Sequence, residues 1–203
     1  MMHMLLALFL CSSPGWPFLD QNSNGCFDLG DIVLPYPQML RTLDETGRGH
    51  VDIACPVGWG YTVPADAPES NPFFPAETSF LIVCPEGTVQ TASWSGFFKE
   101  HNEHTSLSIW ALDILFHGQT HTVLGGGAEE IHLIAGGDIR GDVTEIRLHD
   151  KRADQMIALQ AGRQIVFAAG SLISAINGQI VLDAPILSLA GVTLRAAQVV
   201  YGN

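Results

Sequence analysis

Alternating apolar positions recur along the second half of the chain at a nearly constant spacing. The pattern apolar-x-apolar-x-small begins at positions 23 to 27 residues apart, at Phe80, Leu107, Ile131, Ile157 and Ile180. Alternation with a period of two predicts β-strands that bury one face. A recurrence at about 25 residues predicts that each copy is one coil of a solenoid.

Each predicted coil carries further apolar positions. The first residues of successive copies should stack about 4.8 Å apart in a parallel β-helix, so Ile131, Ile157 and Ile180 are predicted to form an inward ladder. Ala135, Ala161 and Ala184 should stack at a tight corner. A second short strand follows most copies, at Ile114, Ile139, Ile165 with Phe167, and Leu187 with Leu189. A β-sandwich is the alternative fold, because its strands also alternate.

Composition divides the chain into four predicted segments. Residues 1–17 form an apolar leader, either a secretory signal or a strand used in assembly, and its apolar run is too short to cross a bilayer. Residues 18–55 form a small region with a candidate calcium loop of the EF-hand type. Residues 56–77 hold five prolines and read as a linker. Residues 78–203 form the mainly β solenoid domain, with about five coils.

Charge and composition narrow the classes of function. The chain has 47% hydrophobic residues, 21 Gly and 11 Pro, which favours short strands joined by turns. Its formal net charge is −12, from nine Lys and Arg against 21 Asp and Glu. Such a surface repels phosphate backbones and anionic lipid heads, so binding to nucleic acid is not expected. No transmembrane span is predicted.

The four cysteines all lie in the first 84 residues, at Cys11, Cys26, Cys55 and Cys84. No CxxC pair is present, so a zinc knuckle or a redox pair is not indicated. Disulfides formed in an oxidising compartment are the favoured interpretation, with the pairing left open. Buried free thiols are the alternative.

A candidate calcium loop lies in the stretch DQNSNGCFDLGD, residues 20–31. In an EF-hand loop, oxygen ligands come from positions 1, 3, 5, 7, 9 and 12, and Gly at position 6 permits a sharp turn. The corresponding ligands here are hard oxygen donors, which suit calcium: Asp20, Asn22, Asn24, the Cys26 carbonyl, Asp28 and Asp31. An Asx-rich turn without metal is the alternative.

This loop resembles the calcium repeat of bacterial dockerin modules, because Asp stands at its last position. The resemblance covers about residues 18–55. A second copy beginning at Asp44 is poor, with Arg48 and Cys55 at ligand positions, and Pro35 and Pro37 interrupt the helix that a dockerin would place after the first loop. Cohesin docking is therefore not expected.

The stretch AGRQIVFAAGSLISAINGQIVLDAPILSLAGVTLRAA resembles the repeats of filamentous haemagglutinin-type surface proteins. Those repeats are right-handed parallel β-helices with short Ile, Leu and Ala strands and Gly or Asn turns. The resemblance covers about residues 125–200 and has no diagnostic motif. It implies a right-handed β-helix with an extracellular adhesive or structural role, and it transfers no functional residue.

Catalytic chemistry is weakly indicated. His101, Glu103, His104, His117 and His121 could supply zinc ligands only if adjacent coils brought them together. Polysaccharide-cleaving β-helices line a face with carboxylates, for which the candidates are Asp138, Asp142 and Asp150. No nucleophile elbow, phosphate-binding loop or catalytic Cys–His pattern is present.

The favoured function is a secreted, calcium-stabilised structural subunit that assembles head-to-tail into an extracellular or cell-surface filament. The last coil reaches VTLRAAQVVYGN without a shielding helix, and an open β-helix end exposes unpaired backbone. Homo-oligomerisation through the solenoid ends and the leader is therefore expected. The alternatives are a monomeric cell-surface adhesin or carbohydrate-binding module with a surface glycan as partner, and a polysaccharide-active enzyme.

Overall fold

The computed structural model describes residues 18–19, 32–33, 38–43, 49–55, 60–63, 78–91, 96–98, 106–118, 120–124, 130–148 and 154–202. In this part of the chain no helix has the length and apolar character needed to cross a bilayer. The regular elements are β-strands: β1 (Phe18–Leu19), β2 (Ile32–Val33), β3 (Gln38–Leu43), β4 (Gly49–Ala54), β5 (Tyr61–Val63), β6 (Thr78–Thr91), β7 (Gly96–Phe98), β8 (Ser106–Phe116), β9 (Thr120–Leu124), β10 (Glu130–Ala135), β11 (Asp138–Gly141), β12 (Thr144–Leu148), β13 (Met156–Ala161), β14 (Gln164–Phe167), β15 (Leu172–Asp183), β16 (Ile186–Ser188) and β17 (Thr193–Tyr201).

The strands wind into a β-solenoid of about four turns, somewhat fewer than the five coils predicted. Each full coil has three strands, and each strand pairs in parallel with its equivalents in the coils before and after it. Face A contains β4, β10, β13, the first parts of β6 and β8, and the last parts of β15 and β17. The mainly β solenoid class is thereby confirmed, whereas the right-handed winding stays a prediction.

The other two faces complete each coil. Face B contains β5, β11, β14, β16 and the last parts of β6 and β8. Face C contains β7, β9, β12 and the first parts of β15 and β17. The sequence pattern predicted the strands of faces A and B but not those of face C.

The predicted ladder on face A is confirmed. Ile131 pairs with Ile157, and Ile157 pairs with Ile180, and all three side chains are fully buried. Ala135 likewise pairs with Ala161 at the corner that follows. On face B, Ile139 pairs with Ile114 on one side and with Ile165 on the other. Burying each such side chain contributes roughly 1.5–3 kcal/mol, so the coils stabilise one another.

A disulfide joins the first two strands of face A that run in parallel. Cys55 and Cys84 form it, with their Cα atoms 4.8 Å apart. Cys84 pairs with Ala111, so the two cysteines stand at the ladder position that later coils fill with alanine. The spacing of adjacent coils is also a distance that a disulfide spans without backbone movement. The bond therefore links the first coil covalently to the second.

The solenoid sheet takes strands from segments before residue 78. β4 pairs in parallel with β6 on face A, and β5 pairs in parallel with β6 on face B. β3 pairs antiparallel with β4. Ile53 and Tyr61 belong to the buried core, so these early strands are packed as part of the solenoid.

Candidate functional site

The predicted calcium loop lies outside the described residues, and only the strands at its two ends are described. β1 and β2 pair antiparallel, with Phe18 opposite Val33 and Leu19 opposite Ile32. The two residues that flank the twelve-residue segment, Leu19 and Ile32, are therefore neighbours. Calcium binding stays a prediction for all six proposed ligands, Asp20, Asn22, Asn24, Cys26, Asp28 and Asp31.

The histidine and aspartate candidates are only partly described. His117 is exposed at the corner between faces B and C, and His121 lies in β9 opposite Glu145. His101, Glu103, His104 and Asp150 lie outside the described residues. Within the described ranges, no group of three or more His, Cys, Asp or Glu residues is arranged to hold a metal ion.

Asp138 is the most buried carboxylate described, and it is the centre of a charged cluster at the corner between faces A and B. Arg140 Nη2 donates to its Oδ2 at 2.5 Å, and Gln164 Nε2 donates to the same oxygen at 3.0 Å. Arg163 Nε lies 3.0 Å from Oδ1 in an ion pair, although Oδ1 accepts no hydrogen bond from a described residue. We call this group, with Asp113, the Asp138 cluster.

The cluster connects three successive coils. The Asp138 backbone N–H donates to Asp113 Oδ1 of the preceding coil at 2.7 Å, and Arg163 Nη2 of the following coil donates to the same oxygen at 3.1 Å. Gly137 makes this approach feasible, because a Cβ at that position would overlap Asp113 Oδ1. The two carboxylates and two guanidinium groups balance each other in charge.

The electrostatics of Asp138 favour its ionised form. Burial by itself raises the pKa of this carboxyl, but hydrogen bonds from Gln164 and Arg140 and the charges of Arg140 and Arg163 outweigh it and lower the pKa below its usual value. An ionised carboxylate whose oxygens face two guanidinium groups is a poor proton donor and a poor free base. The arrangement is therefore suited to joining coils and not to acid–base catalysis.

The corner between faces B and C is joined by neutral hydrogen bonds. Ser171 Oγ accepts the Thr144 backbone N–H at 3.1 Å and donates towards the carbonyls of Asp142 and Ala168. Asp142 is exposed, and its Oδ2 accepts the Gly118 backbone N–H at 2.8 Å. Asp142 thus also links two coils, so neither described candidate aspartate stands free.

The outer surface of face A has a different character. Trp110 is 52% exposed there, between Val83 on one neighbouring strand and Ile134 on the other, both half-buried. Beside it, Ser108 pairs with His132, whose Nε2 lies 2.8 Å from Glu130 Oε2. Sequence reasoning assigned Trp110 no role, although its place between two inward positions, Ile109 and Ala111, already indicates an outward side chain.

The end of the solenoid formed by β16 and β17 exposes apolar side chains. Ile165, Ile173 and Ile180 are at most 1% exposed, whereas their partners one coil later, Leu187, Leu194 and Val199, are only partly buried. Tyr201, the partner of Leu182, is 57% exposed. No described strand pairs with the outer edge of β17.

Comparisons with known proteins leave this geometry as the basis for function. No protein-family model, curated protein or solved structure matches the chain. The likeness to dockerins and to filamentous haemagglutinin-type proteins is therefore without a family match, and what it implies beyond the β-solenoid is a matter for proposal.

Proposed function

We propose that this chain is a non-enzymatic structural subunit, whose solenoid stacks end to end with other copies to form an extracellular or cell-surface filament. The observation that carries the proposal is the change in burial along the inward ladders of all three faces. Each inward position is covered by the next coil until the end formed by β16 and β17, where Leu187, Leu194 and Val199 are only partly covered.

The chemistry of this end supports contact with another solenoid. The outer edge of β17 offers backbone N–H and C=O groups in the extended conformation that accepts a further strand. Residues 184–203 contain one charged side chain, Arg195, although 15% of the whole chain is charged. Natural edge strands that remain uncovered usually carry charges or prolines that prevent pairing, and β17 has only Arg195.

A second copy of the chain is the occupant that we propose. At the other end of face A, β3 is the outermost described strand and pairs only with β4 among the described strands. Contact between the two different ends does not close on itself, so it generates a filament. The apolar residues 1–17 are proposed to add to the neighbouring copy as a strand.

The proposal also includes secretion of the protein and the binding of calcium. A disulfide such as Cys55–Cys84 is favoured in an oxidising compartment, which supports secretion. Calcium held by the carboxylates and amides of residues 20–31 would neutralise part of the net charge of −12. Because like charges on stacked copies repel each other, we expect this neutralisation to strengthen the assembly.

A matched pair of lysine substitutions in β17 tests the assembly. Val199→Lys places a charge on an inward position, where the ammonium reaches water in a free subunit but would be buried by a stacked one at a cost of several kcal/mol. Val200→Lys adds the same charge to the same strand on the outward side. Sedimentation velocity and negative-stain imaging over a range of protein concentrations should show wild-type filaments, intact Val200→Lys filaments and monomeric Val199→Lys.

Two results would contradict the proposal. One is a wild-type protein that remains monomeric at every concentration, with calcium and with EDTA. The other is a Val199→Lys variant that assembles as well as the wild type. Assembly that is unchanged by EDTA would reject the role of calcium and leave the stacking itself supported.

A further inference from the structure

The outer surface of face A carries a continuous apolar band. The band takes one outward side chain from each of six neighbouring strands, which the register places side by side or diagonally: Val83, Trp110, Ile134, Ala158, Val181 and Val200. Trp110 projects furthest into solvent, at 52% exposure, and Ala158 is the smallest and most buried member. Parallel sheets are usually covered on both faces, so an apolar band on the outer face indicates a surface that another molecule covers.

Few charges border this band, and in the described strands β6 to β17 none of them is cationic. The arginines of these strands and their corners lie on face B, on face C or at a corner: Arg140, Arg147, Arg163 and Arg195. The outward positions of face A carry two carboxylates, Glu130 and Asp183. Exposed sheet surfaces are normally kept apart by interspersed charges. Covering the band therefore removes mainly apolar side chains from water.

The outer surface of face A is too small to hold two free subunits together. Six strands spaced by about 4.8 Å, with about five residues of 3.3 Å each, measure about 24 Å by 17 Å, or roughly 400 Å². A stable protein–protein interface buries about 800 Å² on each partner. The band nevertheless reaches β17, at the end of the solenoid. Copies stacked end to end with face A in line would join their bands into one apolar strip along the filament.

We propose that two such filaments pair laterally through this strip, face A against face A, with Trp110 in the contact. The inference rests on the proposed end-to-end assembly, because contacts that are individually too small add up when many are tethered in one filament. A second filament of the same chain is the partner that fits, since its strip repeats at the same interval and carries the same apolar groups. Two sheet surfaces of this kind pack about 10 Å apart and exclude the water between them.

The mass per length of unstained filaments of the full chain, measured by dark-field scanning transmission electron microscopy, tests the pairing. In the described part of the chain, face A has eight strand levels from β3 to β17, so a subunit should add about 38 Å to a filament. With 21.9 kDa per subunit, a single filament should have about 6 kDa per nm and a lateral pair about 12 kDa per nm. We expect the wild type to show the higher value. Trp110→Glu should halve it, because a paired filament would bury the carboxylate.

Two further variants separate pairing from folding and from charge alone. Ala158→Glu places a carboxylate elsewhere in the band and should also give single filaments. Val143→Glu places the same charge at the corner between faces B and C, where Val143 is 42% exposed, and should leave the filaments paired. Circular dichroism should show the same β-sheet spectrum for all of these proteins.

Each failure has its own signature. Wild-type filaments with the mass per length of a single filament would overturn the pairing and leave the end-to-end assembly supported, whereas a wild type that forms no filaments would reject both. Filaments of Trp110→Glu that stay paired would also overturn the inference. So would flotation of the wild type with phosphatidylcholine vesicles that Trp110→Glu abolishes, because this result would assign the band to a membrane surface.

Discussion

Ile139→Ala tests the stacking of coils most directly, because Ile139 lies between two identical side chains. Ile114 of the preceding coil and Ile165 of the following coil are its partners on face B, and all three are fully buried. The substitution removes three carbons, which corresponds to about 2.4 kcal/mol of lost transfer free energy at about 0.8 kcal/mol per CH₂. The strands on both sides are fixed by parallel ladders, so the cavity should close poorly and the total loss should be about 3–4 kcal/mol.

Ile176→Ala is the matched control. It deletes the same three carbons from a β-strand, but Ile176 is 44% exposed where β15 passes from face C to face A. Its loss should be below about 1 kcal/mol and should report mainly the lower β-propensity of alanine. The difference between the two variants therefore isolates the burial between coils.

Urea unfolding followed by far-ultraviolet circular dichroism measures both losses. Because a solenoid coil contacts only its neighbours, hydrogen exchange in Ile139→Ala should accelerate first in the strands of face B that flank β11, namely β14 and the last part of β8. Equal losses for the two variants, within about 0.5 kcal/mol, would show that Ile139 is not enclosed between stacked coils and would refute the ladder.

Three further outcomes are expected. Asp138→Asn should lower the free energy of unfolding by about 1–3 kcal/mol at neutral pH. Because the pKa of Asp138 is lowered in the folded state, urea titrations should show that the difference between wild type and variant decreases as the pH falls below about 4. Replacing both Cys55 and Cys84 with Ala should remove about 3.5 kcal/mol for a loop of 29 residues. Thermal melting of this variant should respond less to dithiothreitol than melting of the wild type does, and an equal response of the two proteins would contradict a stabilising role of this disulfide. Burial raises the pKa of Tyr61 to about 12, so the stabilising contribution of this side chain should be complete below pH 10 and lost as the pH rises towards 12. Absorbance titration of the wild type against Tyr61→Phe should show a phenol that ionises late. Ionisation of this phenol near pH 10 would contradict its buried position.

Part of the fold could be predicted because inward positions on a strand must be apolar at every second residue. This requirement produces a visible alternation of apolar residues in the strands of faces A and B. On face A, for example, Ile131, Ile157 and Ile180 recur at nearly equal intervals. The same alternation extends further towards the N-terminus, beyond the five copies that define the predicted repeat. Val51, Ile53 and Cys55 fit the apolar-x-apolar-x-small pattern, and β4 is indeed paired with β6 in the ladder.

The alternation of apolar residues is weaker in the strands of face C, for a physical reason. Several of its enclosed positions are filled by polar residues, such as Thr120, Thr144 and Ser171, whose hydroxyl groups donate to backbone carbonyls at the corner. Such residues interrupt the apolar alternation that identifies a strand. The disulfide pairing had a signal in the repeat, since Cys55 and Cys84 stand at the small-residue position of successive copies.

The sequence by itself determined the period, the inward ladders and the acidic, cation-poor composition, because each of these depends only on residue types and their local spacing. Only the tertiary structure decided which side chains meet across the coils. Asp113 and Arg163 are 50 residues apart, and they meet because two successive turns of the solenoid bring their corners into line. A difference of one residue in either turn would direct the side chains away from each other, so the spacing alone did not specify the Asp138 cluster.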